Sequence, residues 1–174
     1  QAFLTAIREL LDGLIAQADI LRTAGQWIAR AKAAGRRAWC VAVGHSYPKI
    51  LELAENEDYP VEWGGKYVPE TLAEDDVALR FIYTPAVQAE IEAVLDRGVR
   101  LVYSSPYGRP KGLKEHRNLI WLDLPWRPGD ATVDIPGYGV RMLPTSSTAH
   151  TMAYNAILCE MVEARDVDNG AGSR

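Results

Sequence analysis

A chain of 174 residues with 48% hydrophobic side chains is long enough for one well-formed core and gives no reason to expect two. Its 23 acidic residues outnumber its 19 basic ones, for a net charge of −4, so no global basic excess exists for binding nucleic acid. The longest apolar runs fall far short of a membrane span, and the N-terminal pattern is amphipathic with charges inside it, unlike a signal peptide.

The expected setting is therefore cytoplasmic, with no membrane and no nucleic-acid partner. The two cysteines fit that setting. Cys40 lies in an apolar run and Cys159 in a C-terminal helical pattern, so both are expected to be buried thiols in a reducing compartment. Neither has a local activating neighbour.

Residues 1–34 read as helix, with Phe3, Ile7, Leu10, Leu11, Leu14, Ile15, Ala18 and Leu21 recurring at three- and four-residue spacing. Gly25 is expected to interrupt the pattern near Thr23. A second helix, with Trp27, Ile28 and Ala31 on its apolar side, then runs to a stop at Gly35. A β-branched run at 38–43 suits a strand covered on both faces. It ends in Gly44-His45-Ser46, where Ser46 is a good N-cap and Pro48 sits in the first turn of a helix bearing Ile50, Leu51 and Leu53. Strand, tight turn and helix N-terminus together make an anion-ready site.

Residues 56–74 read as loop, with Gly64-Gly65 at a sharp turn. A second strand is expected over 77–83. Thr84-Pro85 then forms the N-cap and first turn of a helix carrying Ala86, Val87, Ile91, Val94 and Leu95, stopped by Gly98. A third strand, 99–103, ends in Ser104-Ser105. A polar loop over 106–118 leads to a fourth strand, 119–124. Two short strands, 131–135 and 139–143, flank the hairpin-type turn Pro136-Gly137-Tyr138. Pro144-Thr145-Ser146-Ser147-Thr148 then caps a last helix over 149–164, and residues 166–174 read as a flexible polar tail. Residues 1–165 are expected to form a single domain.

Strands alternating with helices predict an α/β fold, a mainly parallel sheet with helices on both faces. Ligands bind beyond the carboxyl ends of the strands in such sheets. Small hydroxyl residues recur there: Ser46, Thr84, Ser104 and Ser105, joined by the cluster from Thr145 to Thr148. Together they favour a phosphate or polyhydroxylated ligand.

Several residues carry two readings. His45 is either the proton-transfer group of an aldose–ketose interconversion or a hydrogen-bonded turn histidine, with the second weighed ahead. His150 favours a structural or partner-facing role, and His116 a solvated one. Glu52, Glu62 and Glu70 are candidate carboxylates without diagnostic spacing, and Glu160 favours pairing with a surface base. The basic loop carrying Arg109, Lys111, Lys114 and Arg117 is either a phosphate clamp or, more commonly, a solvated loop. Trp63, Trp121 and Trp126 either line a sugar-stacking wall or fill core. No His, Cys or acidic cluster has metal-ligand spacing, and neither a metal nor a cofactor is expected.

Three motifs, Val41-Ala42-Val43-Gly44-His45-Ser46, Gly64-Gly65 and Leu143-Pro144-Thr145-Ser146-Ser147-Thr148 with the following Asn155-Ala156-Ile157-Leu158, occur in the order found in the sugar isomerase (SIS) domain family. The chain resembles a small single-SIS, phosphosugar-binding branch along nearly its whole length. The resemblance implies a three-layer αβα sandwich (flavodoxin-like) on a five-stranded parallel sheet, preceded by two helices and usually dimerised. It implies a phosphosugar or related carbohydrate ligand held by Gly44, Ser46, Thr145, Ser146, Ser147 and Thr148, and, for an enzyme, phosphosugar isomerisation with His45 as the catalytic group. The chain departs from the family at the second strand end: Tyr83-Thr84-Pro85-Ala86 stands in place of S-x-S-G, and Ala42 replaces a glycine of the first turn. These departures keep open the alternative of a non-catalytic metabolite sensor or structural dimer with a degenerate phosphate site.

Overall fold

The computed structural model describes residues 2–41, 61–64, 66–124, 131–134, 137, 139, 141–144 and 146–168. These residues form, in chain order, α1 (Ala2–Ile15), α2 (Ala18–Ala33), β1 (Ala38–Val41), β2 (Glu62–Trp63), β3 (Val77–Phe81), α3 (Gln88–Leu95), β4 (Arg100–Ser104), β5 (Leu119–Trp121), β6 (Ala131–Asp134), β7 (Arg141–Pro144) and α4 (Ser146–Asp168).

Side chains alternate across the strands and divide the core in two. Ala38, Cys40, Val77, Leu79, Phe81 and Val102 face a cluster built with Leu21, Ala24 and Ile28 of α2 and Ala149, Ala153, Ile157 and Met161 of α4; Leu10 and Leu14 of α1 join it. Val41, Ala78, Leu101 and Tyr103 face the other way, toward Ile91, Val94 and Leu95 of α3 and the loop residues Val68, Leu72 and Leu113. The fold is thus α/β with helices on both faces of a parallel sheet.

The sheet order is β2-β1-β3-β4-β5, and every neighbouring pair is parallel. Its body is four strands, β1, β3, β4 and β5; β2 adds only a two-residue edge. That edge falls within the stretch that reads as loop, because two residues between Pro60 and Gly64 carry no periodicity. The order reverses at β1, whose neighbours β2 and β3 lie on opposite sides of it. In open α/β sheets, ligands bind at such a switch, on the side of the strands' carboxyl ends. At the other end of the sheet, Asp76 accepts from the Arg37 and Ala73 amides, both at 2.8 Å, and ties the start of β3 to the start of β1. The expected hairpin is present: β6 and β7 pair antiparallel, Ala131 opposite Pro144 and Asp134 opposite Arg141.

Several boundaries differ from expectation. The helix break falls at Ala16-Gln17, and α2 runs unbroken through Gly25. Gly25 is a packing residue: a Cβ there would stand 2.6 Å from the Met161 backbone nitrogen and 2.7 Å from the Glu160 Cβ. At the break, Gln17 accepts from the Asp123 amide at 2.9 Å and clips the α1–α2 junction to the chain just after β5. α2 ends as expected at Gly35, whose φ of +67° lets Arg36 N donate to Ala31 O at 2.7 Å and Gly35 N to Lys32 O at 3.1 Å. α3 starts at Gln88, with the extended Val87 as its N-cap, so Thr84-Pro85 precedes the helix without capping it. α4 extends past the expected 149–164 at both ends, and residues 166–168 of the expected tail are helical.

Candidate functional site at the carboxyl ends of the strands

β3 and β4 run side by side, so their ends meet. Phe81 lies opposite Ser104, and Ile82 N donates to Ser104 O at 3.0 Å. One step further, the Ser105 hydroxyl donates to the Thr84 carbonyl at 2.9 Å and accepts from Tyr107 N at 3.2 Å. The Phe81 ring also stacks on His150, with centroids 5.6 Å apart. That contact seats the first turns of α4, and with them Ser146, Ser147 and Thr148, on the carboxyl ends of these strands. A 23-residue helix carries a partial positive charge at this end.

The hydroxyls differ in access. Thr84 is exposed and Ser147 and Thr148 are half-buried, while Ser104, Ser105 and Ser146 are buried. Ser105 spends its hydroxyl on bracing the Thr84 turn. By exposure alone, Thr84, Ser147 and Thr148 are the described hydroxyls of this set that reach solvent. Gly44, His45, Ser46 and Thr145 lie outside the described residues, as do Glu52 and Trp126.

His150 is buried against Phe81, which gives it a structural position in the core. Glu62 sits on the edge strand opposite Trp39, near the start of β1, and its carboxylate takes two bonds from Arg37, at 2.7 and 3.0 Å. The Arg37 hydrogen bonds hold its carboxyl below the usual carboxylate range, the wrong direction for a proton acceptor working near neutrality. Glu160 pairs with Arg22 at 3.5 Å, as expected of a helix-surface acid. In the basic loop, Arg109 is spent on Glu115 at 2.6 Å and on the Leu113 and Lys114 carbonyls, and Leu113 is buried in the second core cluster. Trp121 stacks on Tyr103 with centroids 5.2 Å apart and belongs to the core edge.

Cys40 is buried, and burial pushes its thiol up to about 12, so it is inert as a nucleophile. Cys159, expected to be buried, is exposed. It lies two residues from both Ile157 and Met161, which places it off the buried stripe of α4. Among the described residues no three His, Cys, Asp or Glu side chains group as metal ligands, and no helix is long and apolar enough to cross a membrane.

One charged residue escapes sequence reasoning altogether. β3 reads V-A-L-R-F, and all five residues are buried, Arg80 among them. The only local signal is a lone charge within an apolar run. Compared with known proteins, the chain matches no family profile and no curated sequence.

Proposed function

We propose that the chain binds a phosphorylated sugar or related carbohydrate derivative at the carboxyl-end rim, in the manner of the SIS domain it resembles. The observation that carries this reading is the seating of the α4 N-terminus on the ends of β3 and β4, with Ser147, Thr148 and Thr84 accessible around it. The flavodoxin-like strand order supports it, because the rim adjoins the switch point. In this reading the α4 amides and the Ser147 and Thr148 hydroxyls take the phosphate oxygens, and Thr84 meets a sugar hydroxyl. Gly44, Ser46 and Thr145 complete the cradle. Isomerisation, where it occurs, uses His45 to move a proton between adjacent carbons. The same reading sets a homodimer in the cytoplasm. The stripe of Leu4, Leu11 and Ile15 on α1, 70%, 41% and 71% exposed, supports the dimer, and the free thiols of Cys40 and Cys159 suit that compartment.

A second reading, a non-catalytic sensor or structural dimer with a degenerate phosphate site, is favoured by a specific observation. The Ser105 hydroxyl is committed to the Thr84 carbonyl, and α3 begins well past Thr84-Pro85, so the β3 end offers no helix-capped phosphate loop.

A thermal-shift panel of sugar phosphates separates the two. A ligand at a hundred times its dissociation constant adds about 2.7 kcal/mol of stability. The expected result is a shift with at least one phosphosugar that disappears when Ser147→Ala and Thr84→Ala are combined. No shift with any of them leaves the second reading. For catalysis, deuterium exchange at C1 or C2 of the bound sugar should vanish in His45→Ala.

A further inference from the structure

The second core face holds a charge that the rim does not use. Arg80 is 7% exposed and lies between two aromatic rings, Tyr67 at 5.6 Å and Tyr103 at 5.5 Å from the guanidinium carbon. Tyr103 is the buried inner ring; Tyr67 is exposed and lies on the outer side. Arg80 Nη2 donates to Glu90 at 2.7 Å, while Nε has no hydrogen-bond partner among the described residues. A buried guanidinium with an unused donor is costly, and native structures rarely leave one without a reason.

The reason offered by the surroundings is a cleft. An open space of about 530 Å³ lies over Arg80, bounded by Tyr67, Val68, Glu70, Glu90 and Arg97. Arg97 is anchored there by its bonds to the Pro69 and Leu72 carbonyls, at 2.8 and 3.2 Å. None of these residues belongs to the rim described above.

We infer that this cleft binds a small carboxylate, which takes the Arg80 fork in place of Glu90. The fork of a guanidinium matches the two oxygens of a carboxylate, and the flanking tyrosine faces hold the fork's plane. Glu90 already shows where such an oxygen sits. Its side chain is 35% exposed at the start of α3, so it can turn out to water at little cost and acts as an internal competitor. Phosphate is the poorer fit, because it brings its whole charge to one point beside Glu70 and Glu90, whereas a carboxylate brings a single charge to the fork and succinate holds its second carboxylate away, toward the open side of the space.

The test is a titration with succinate, read from the Arg80 Nε–Hε signal in a nitrogen-15 NMR spectrum, with inorganic phosphate as the comparison. Succinate should shift that signal saturably, and Glu90→Gln should tighten binding by about threefold or more by removing the competitor. Arg80→Lys, which keeps the charge and loses the fork, should weaken it by about tenfold. No saturable shift up to about 50 mM succinate in either the parent or Glu90→Gln overturns the inference. So does tighter binding of phosphate than of succinate, or Glu90→Gln without tightening. These arms stand even where Arg80→Lys fails to fold.

Discussion

The imidazole of His150 lies nearly parallel to the ring of Phe81, 21° off, at a centroid distance of 5.6 Å. One ring ends a central strand and the other sits in the opening turns of α4. The stack therefore sets the height of the α4 N-terminus against the sheet, and with it the position of Ser147 and Thr148. Phe81 is also buried in the core shared by α2 and α4. Phe81→Ala should cost about 3–5 kcal/mol in a denaturant titration, with the midpoint lowered and the slope unchanged. A loss under about 1 kcal/mol would show that the stack does not hold α4 in place.

Gly25 gives a prediction in which two effects oppose each other. Alanine in a helix interior is favoured over glycine by roughly 1 kcal/mol. Here the added methyl would meet the Met161 backbone nitrogen at 2.6 Å, and backbone cannot swing aside as a side-chain end can. Overpacking of this kind costs about 1–3 kcal/mol, so Gly25→Ala should be net destabilising, and a bulkier Gly25→Val more so. A stabilised Gly25→Ala protein would mean that α2 and α4 do not approach this closely.

The same glycine shows what the sequence makes legible. A glycine within a helical pattern reads as a break, because its contact with α4 is made 135 residues away in the chain (25 against 160). The mostly apolar runs at β1, β3 and β4 announce themselves locally, since burial on both faces favours a continuous apolar stretch. Pro136-Gly137-Tyr138 marks the β6–β7 hairpin by turn chemistry alone. β2 is too short for any pattern. At the rim, serines and threonines are visible as residue types, but the bond from Ser105 to Thr84 that removes one of them from service is a tertiary relation. Arg80 has no periodicity to betray it; only the fold reveals that its neighbours are two tyrosines and a glutamate.

The two cysteines should separate cleanly in thiol labelling. Cys159 is exposed on α4, whereas the Cys40 thiol is buried on β1 and held near 12 by desolvation. A disulfide reagent near neutral pH should modify one thiol in the native protein and two after denaturation. Cys159→Ser should abolish the fast phase, and Cys40→Ser should leave it untouched. Two fast thiols in the native protein would place Cys40 outside the core.

Tyr103 yields a prediction about both the hydroxyl and pH. The residue is fully buried, its ring stacked on Trp121, and its hydroxyl has no partner among the described residues. Tyr103→Phe keeps the ring contacts and removes only that hydroxyl. It should be neutral or stabilising by up to about 1 kcal/mol near pH 7. Burial also pushes the phenol up to about 12, against an ordinary value of 10. The folded state therefore keeps its proton where the unfolded chain releases it. The contribution is fully present below pH 10 and is lost as pH rises from 10 toward 12, on the order of 2 kcal/mol at the far end. Unfolding titrations from about pH 9 to about 11.5 should show a shallower alkaline decline for Tyr103→Phe than for the parent. A phenylalanine variant weaker by more than about 1 kcal/mol at pH 7 would mean that the hydroxyl is satisfied after all.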